Sequence, residues 1–155
     1  MIHRTMLMAT AAIAAVTINA CSDTTAPKPL ASGDASFARS GTFHVEKNCG
    51  DYHGGAGESC TITSSTLKEI EPGSRVTYAT RAGATSLESD LVLDLPGPGA
   101  NSAAGHVVLN FATLSGVVTF SGGTGKFSWF EARVDVSHLG GNDWAWDGTY
   151  SFSPR

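Results

Sequence analysis

The sequence predicts an all-β domain, a single antiparallel up-and-down barrel of eight strands, with a β-sandwich as the alternative. Eight segments alternate apolar and polar residues, and turns rich in glycine and proline separate them. After residue 36, no segment combines helical periodicity with good helix formers over a sufficient length. The roughly 120 residues from Phe37 onward are enough for one domain with a sizeable core. Closing the sheet into a barrel would remove its exposed edges.

The chain opens with a basic start, which contains Arg4, followed by an apolar segment over 6–18. This segment is shorter than the roughly 20 residues that a membrane-spanning helix needs, so residues 1–20 are predicted to be a signal peptide. The end of the segment, Ile-Asn-Ala-Cys21, resembles a bacterial lipobox, in which the cysteine is acylated. We therefore expect an exported lipoprotein of the cell envelope, anchored to a bacterial membrane through Cys21. Cleavage after Ala20, giving a secreted or periplasmic protein, is the alternative.

Residues 21–36 are polar and contain Pro27, Pro29 and Gly33, which predicts a disordered tether before a barrel domain over 37–155. Loss of the signal peptide lowers Lys plus Arg from 10 to 9 against 14 Asp plus Glu, so the mature chain carries a net charge of −5. No basic cluster is present. The sequence therefore predicts no binding to nucleic acid, and contact with the membrane through the lipid anchor alone.

Two cysteines remain if Cys21 carries lipid, and an oxidising compartment favours a disulfide between Cys49 and Cys60. A metal site built from Cys49, His53 and Cys60 is the alternative, but this spacing matches no common zinc pattern and supplies three ligands at most. We therefore predict no metal and no cofactor. The chain also lacks the Gly-x-Ser-x-Gly string of many serine hydrolases.

The predicted strands cover, in order, residues 41–47, 60–67, 74–81, 87–95, 105–113, 116–121, 127–138 and 144–153. In the first, Phe43 and Val45 share one face, and His44, Glu46 and Asn48 share the other. The fourth shows the cleanest alternation, since leucines lie on one face and acidic residues on the other. Short connections with Pro-Gly or Gly-Gly steps separate several of the strands, as in meandering all-β folds.

The stretch GVVTFSGGTGKFSWFEARVDV over 116–136 is typical of a hairpin with a glycine-rich turn. The sequence after this turn predicts a strand and not the helix that a phosphate-binding loop requires. The second strand places an apolar set on its core face. Its other face mixes aromatic and charged residues, namely Phe127, Trp129, Glu131, Arg133 and Asp135.

Two orientations of this mixed face stay open. If it points outward, Glu131, Arg133 and Asp135 form a ladder of charges on the barrel surface. If it points inward beside Trp129, Arg133 could orient an anionic or carbonyl-bearing ligand, and Glu131 could be a carboxyl group with a raised pKa.

The last strand places five residues on one face: Trp144, Trp146, Gly148, Tyr150 and Phe152. These aromatic residues either fill one end of the barrel or form the wall of a ligand cavity. Gly148 leaves a gap between large rings, which another backbone or a ligand could approach.

The string FSGGTGKF, the aromatic-rich strand after it and the Trp-Asp-Gly-Thr-Tyr strand end resemble the allene oxide cyclase and dirigent group of eight-stranded barrels. The resemblance covers residues 105–152 and implies a barrel that forms a homo-oligomer. Plant allene oxide cyclases place a glutamate and an asparagine near the start of the barrel, and Glu46 and Asn48 resemble that pair. Those enzymes also use a free cysteine, which a Cys49–Cys60 disulfide would remove here.

Three functions follow as hypotheses. The first is an envelope protein whose barrel binds a small apolar or amphipathic ligand through Trp129, Arg133, Trp144, Trp146 and Tyr150. The second is an isomerase or cyclase that acts on a hydrophobic substrate inside the barrel, with Glu131 or Glu46 as the catalytic acid or base. The third is a structural or protein-interaction domain.

Overall fold

A computed structural model describes residues 38–153, which form a closed barrel of eight antiparallel strands in sequential order, so the predicted fold class is confirmed. The strands are β1 (Arg39–Asn48), β2 (Ser59–Ser65), β3 (Arg75–Tyr78), β4 (Ser86–Asp94), β5 (Ser102–Asn110), β6 (Ser115–Gly123), β7 (Phe130–Gly140) and β8 (Asp143–Phe152). A short 3₁₀ turn, Gly125–Phe127, lies between β6 and β7.

The first and last strands close the barrel. They pair along their whole length, from Arg39 opposite Phe152 to Asn48 opposite Asp143. The two ends of the domain therefore meet at one end of the barrel. The disulfide and the β7–β8 turn lie at the other end.

Inward-facing side chains from all eight strands form a single buried cluster. The alternation that predicted the strands is visible in the burial pattern: β4 alternates strictly between exposed and buried residues, and β7 does so over most of its length. Trp146 is the largest fully buried side chain, and Phe120 meets its ring edge-on at 5.7 Å. The aromatic residues of β8 thus lie on the core face, as their spacing predicted.

The start of β7 differs from the prediction. The strand begins at Phe130 and not at residue 127, because the 3₁₀ turn takes up the preceding residues. Trp129 has a positive φ of 63°, which breaks the alternation before the strand starts. Consequently Phe127, which was expected to lie on the same face as Glu131, is fully buried in the core, while Trp129 is 51% exposed.

Several predictions concern residues that lie outside the described part of the chain. These are the signal peptide over 1–20, lipidation of Cys21 and the tether over 21–36. Within residues 38–153, no helix is long and apolar enough to cross a membrane.

The predicted disulfide between Cys49 and Cys60 is present and packs against the core. Its removal by the double substitution Cys49→Ala and Cys60→Ala should cost about 2 to 3 kcal/mol of unfolding free energy, because the unfolded chain regains the entropy of a short closed loop. Urea unfolding measures this loss. A reducing agent should bring the wild-type protein to the same value and leave the variant unchanged, and a loss below about 1 kcal/mol would contradict the loop-entropy account.

Candidate functional site

The outer surface of β6, β7, β8 and β1 presents polar side chains in register. One cross-strand row runs Ser121, Glu131, Ser151 and Ser40, the next runs Thr119, Arg133, Thr149 and Thr42, and a third joins Asp135, Asp147 and His44. These rows form because alternate residues of each strand point away from the core. We call this surface the polar face and define it by Ser40, Thr42, His44, Thr119, Ser121, Glu131, Arg133, Asp135, Asp147, Thr149 and Ser151.

Three adjoining depressions indent the polar face. The central one, of about 490 Å³, includes Glu131, Arg133 and Thr149 in its lining. Thr149 also lines the second, of about 690 Å³, which reaches across β1 to Thr66. Glu131 also lines the third, of about 250 Å³, which extends to Trp129. Because neighbouring depressions share lining residues, we describe them as one trough from Trp129 to Thr66.

Gly148 lines the second depression of this trough. A Cβ atom at this position would come within 2.0 Å of the Arg133 carbonyl oxygen and 2.7 Å of the Val134 Cα. The backbones of β7 and β8 therefore approach more closely than any side chain would permit, as at the glycine bends of other barrels. The gap that the sequence predicted at Gly148 is thus filled by another strand and not by a ligand.

The charges of the polar face are mixed, with a surplus of carboxylates. Arg133 lies between Glu131 and Asp135 on β7, opposite Thr149 of β8. Asp147 lies opposite Asp135, and its Oδ1 is 2.7 Å from Nδ1 of His44. This hydrogen bond raises the pKa of His44, although partial burial opposes the shift. The face as a whole would repel a polyanion.

Trp129 stands at the end of the trough. Its side chain is 51% exposed although it is one of the largest apolar groups in the chain. Its backbone carbonyl accepts a hydrogen bond from the amide of Ser153 at 3.3 Å, which fixes this residue beside the end of β8. An indole ring is therefore presented to solvent at a defined place next to Glu131 and Ser121.

A second unusual group is buried in the core and was not among the predicted site residues. Lys47 is 4% exposed, and its Nζ donates a hydrogen bond to the Tyr78 hydroxyl at 2.6 Å. The same atom lies 4.8 Å from the centre of the Trp146 ring. The Tyr52 ring packs against the Tyr78 ring, with centroids 4.9 Å apart and planes tilted by 51°. We call Lys47, Tyr52, Tyr78 and Trp146 the lysine cluster.

The lysine cluster contains no carboxylate that could pair with a protonated Lys47. No acidic oxygen of the described residues lies within 4.0 Å of the Lys47 Nζ, and burial lowers the pKa of Lys47 to about 7. The Trp146 and Tyr78 rings offset part of the cost, because aromatic faces attract a cation. Within residues 38–153, the Trp146 Nε1 and the Tyr52 hydroxyl have no hydrogen-bond partner.

An amine with such a pKa is a competent base or nucleophile at neutral pH. Lys47 is nevertheless enclosed by core side chains, so a substrate could not touch it without displacing them. The sequence did contain a signal for its position. Lys47 follows Phe43 and Val45 at the spacing of two that marks the inward face of a strand.

Two of the residues predicted to bind a ligand, Arg133 and Tyr150, line the same central depression, whereas Trp129, Trp144 and Trp146 do not line it. Trp146 is fully buried, Trp144 and Tyr150 are partly buried against the core, and Arg133 and Trp129 lie outside. The structure therefore places the mixed face of β7 outward, which is one of the two orientations that the sequence left open.

The two candidate catalytic carboxylates also lie on the outer surface. Glu131 is exposed on β7, and Glu46 lies on the outer side of β1, where its Oε1 is 3.5 Å from Nε2 of His44. Asn48, the other residue of the pair that resembles the plant cyclases, donates a hydrogen bond to Asp143 at the barrel rim. Neither glutamate points into the barrel.

Among residues 38–153, no three His, Cys, Asp or Glu side chains group as they would around a metal ion. Cys49 and Cys60 are bonded to each other.

Comparison with protein-family models found no match. A search of curated proteins found none either. The same holds for solved structures.

Proposed function

We propose that this protein is an exported recognition module of the cell envelope, held by a lipid on Cys21, and that it binds its ligand on the polar face. The observation that carries the proposal is the trough over β6, β7, β8 and β1, which hydroxyl groups, an arginine, a histidine and two carboxylates line together. Its central part is a shallow depression of about 490 Å³ that is open to solvent, so a ligand would lie on the surface and not inside a closed cavity. Homo-oligomer formation stays a prediction.

Two features support a site on the outer surface over one inside the barrel. The aromatic residues that suggested an apolar ligand or a hydrophobic substrate are packed against other core side chains, with Phe43 meeting Tyr150 edge-on at 5.8 Å. Both glutamates that could have served an isomerase face outward.

The geometry also favours some binding modes over others. Every strand has two neighbours in the closed ring, although residues 39–43 of β1 pair with β8 alone, so little free sheet edge is left for an added peptide strand. This geometry favours recognition by side chains of the outer surface.

Thr149 provides the sharpest test, because it lines both of the larger depressions. Thr149→Arg should reduce saturable binding of the protein to isolated cell envelopes by tenfold or more, since the long side chain would fill the trough. Thr63→Arg is the matched control: Thr63 is an exposed threonine on β2, outside the polar face, and this variant should bind like the wild type. Equal binding by both variants, or no saturable binding by the wild type, would contradict the proposal.

A further inference from the structure

We infer that the ligand of the polar face is a neutral polysaccharide chain whose sugar rings stack on Trp129 and hydrogen-bond along the trough. This inference rests on the proposed function, because it names the ligand of the same surface. Three properties of the site carry it: its exposed indole, its hydroxyl rows and its charge.

The first property is the indole of Trp129. A pyranose ring has a face of C–H groups that packs against an aromatic ring, and a rim of hydroxyl groups that needs polar partners. Trp129 offers such an aromatic surface, 51% exposed, at one end of the trough. Ser121 and Glu131 line the same depression and can meet the hydroxyl rim of the stacked sugar.

The second property is the density of hydroxyl groups. Two neighbouring cross-strand rows supply six of them, each able to donate and accept a hydrogen bond: Ser40, Thr42, Thr119, Ser121, Thr149 and Ser151. The rows cross three inter-strand spacings, about 14 Å in all, which suits several consecutive sugar rings. Such a row of protein hydroxyl groups recognises a ligand by forming hydrogen bonds with the hydroxyl groups of that ligand.

The third property is charge. Carboxylates outnumber cations on the polar face, where Glu131, Asp135 and Asp147 accompany Arg133 and His44. A polyanion would be repelled there. An apolar ligand could contact Trp129 and Tyr150, but it would cover the hydroxyl rows without giving them hydrogen-bond partners. A neutral chain rich in hydroxyl groups meets neither obstacle.

Chemical treatment of isolated envelopes separates this inference from the proposed function. Periodate cleaves the vicinal diols of sugars, whereas protease removes proteins. Envelopes treated with periodate should lose most of their saturable binding of the wild-type protein, and envelopes treated with protease should keep it. Loss with protease and retention with periodate would overturn the polysaccharide inference, and the proposed function would stand with a protein ligand. Absence of saturable binding to untreated envelopes would overturn both.

A substitution tests the role of Trp129. Trp129→Ala should weaken binding to untreated envelopes at least tenfold, whereas Trp129→Phe should retain part of the affinity because a smaller aromatic face remains. Leu139→Ala is the matched control, since Leu139 is a large apolar residue near the other end of β7 and is 54% exposed. A bound neutral oligosaccharide, released from the envelopes and purified, should also protect Trp129 from acrylamide quenching in the wild-type protein. Equal losses for Trp129→Ala and Leu139→Ala, or no protection, would overturn the inference.

Discussion

Replacing Lys47 with methionine is expected to stabilise the barrel by about 1 to 4 kcal/mol at pH 6, because an apolar side chain of similar length removes a buried charge. In the folded protein, burial lowers the pKa of Lys47 to about 7, from 10.5 for an unburied lysine. Both states carry the proton below pH 7, so the folded state bears the full cost of the charge there. Lost attraction to the rings reduces the gain, and so does a Tyr78 hydroxyl left with only the weak acceptor Cys60 Sγ at 3.7 Å.

The same shift predicts a pH dependence that the variant should lack. Between about pH 7 and 10, unfolded lysine keeps a proton that the folded protein has released, so wild-type stability should rise by about 1.4 kcal/mol per pH unit. Burial raises the pKa of Tyr78, and that of Tyr52 is also raised, so ionisation of the unfolded tyrosines should lower stability above about pH 10. The pH range in which Lys47 alone determines the slope of stability therefore ends near pH 9.5.

Urea unfolding at several pH values, followed by fluorescence, measures both effects. Lys68→Met is the control, because the Lys68 side chain is 83% exposed and its removal should leave the pH slope of the wild type unchanged. Parallel slopes for the wild type and Lys47→Met would show that Lys47 keeps its proton when the protein is folded.

The second large effect is expected at Gly148. Gly148→Ala should destabilise the barrel by about 3 kcal/mol or more, because the added Cβ would overlap the backbone of β7 and force two paired strands apart. Thermal unfolding should show a correspondingly lower midpoint. The substitution should also weaken ligand binding, since Thr149 would move with the strand.

Gly41→Ala provides the comparison for this prediction. Gly41 lies on the neighbouring β1, and a Cβ there would meet the Tyr150 ring edge at 3.2 Å, where a side chain can shift by a few tenths of an ångström. Its cost should therefore be well below that of Gly148→Ala. Similar losses of unfolding free energy for the two variants would mean that separating β7 from β8 costs little free energy.

Much of the fold could be predicted from local pattern. All eight strands appear in the predicted order, because period-two alternation and glycine-rich turns are local properties of the sequence. The error near Trp129 is also local in origin. A positive φ at a tryptophan has no sequence signal, and the 3₁₀ turn before it resembles the start of a strand in its apolar content.

The candidate site was less predictable because it depends on register. Arg133 and Trp129 were identified as unusual residues, but their neighbours Thr119, Thr149 and Thr42 come from three other strands. Only pairing across the sheet brings these hydroxyl groups into one row. Similarly, the alternation of β1 could have predicted that Lys47 points into the barrel. Its contact with Tyr78 could not be predicted, because it depends on how the barrel closes.

The pairing of β1 with β8 has a consequence for the time at which this domain can fold. The ring has no closing partner for its first strand until its last strand is available, so the contacts between the two ends form late and across nearly the whole domain. A chain that crosses a membrane in an unfolded state, as the proposed export requires, cannot complete its barrel during transit. Folding must finish on the far side, where oxidation can also join Cys49 to Cys60.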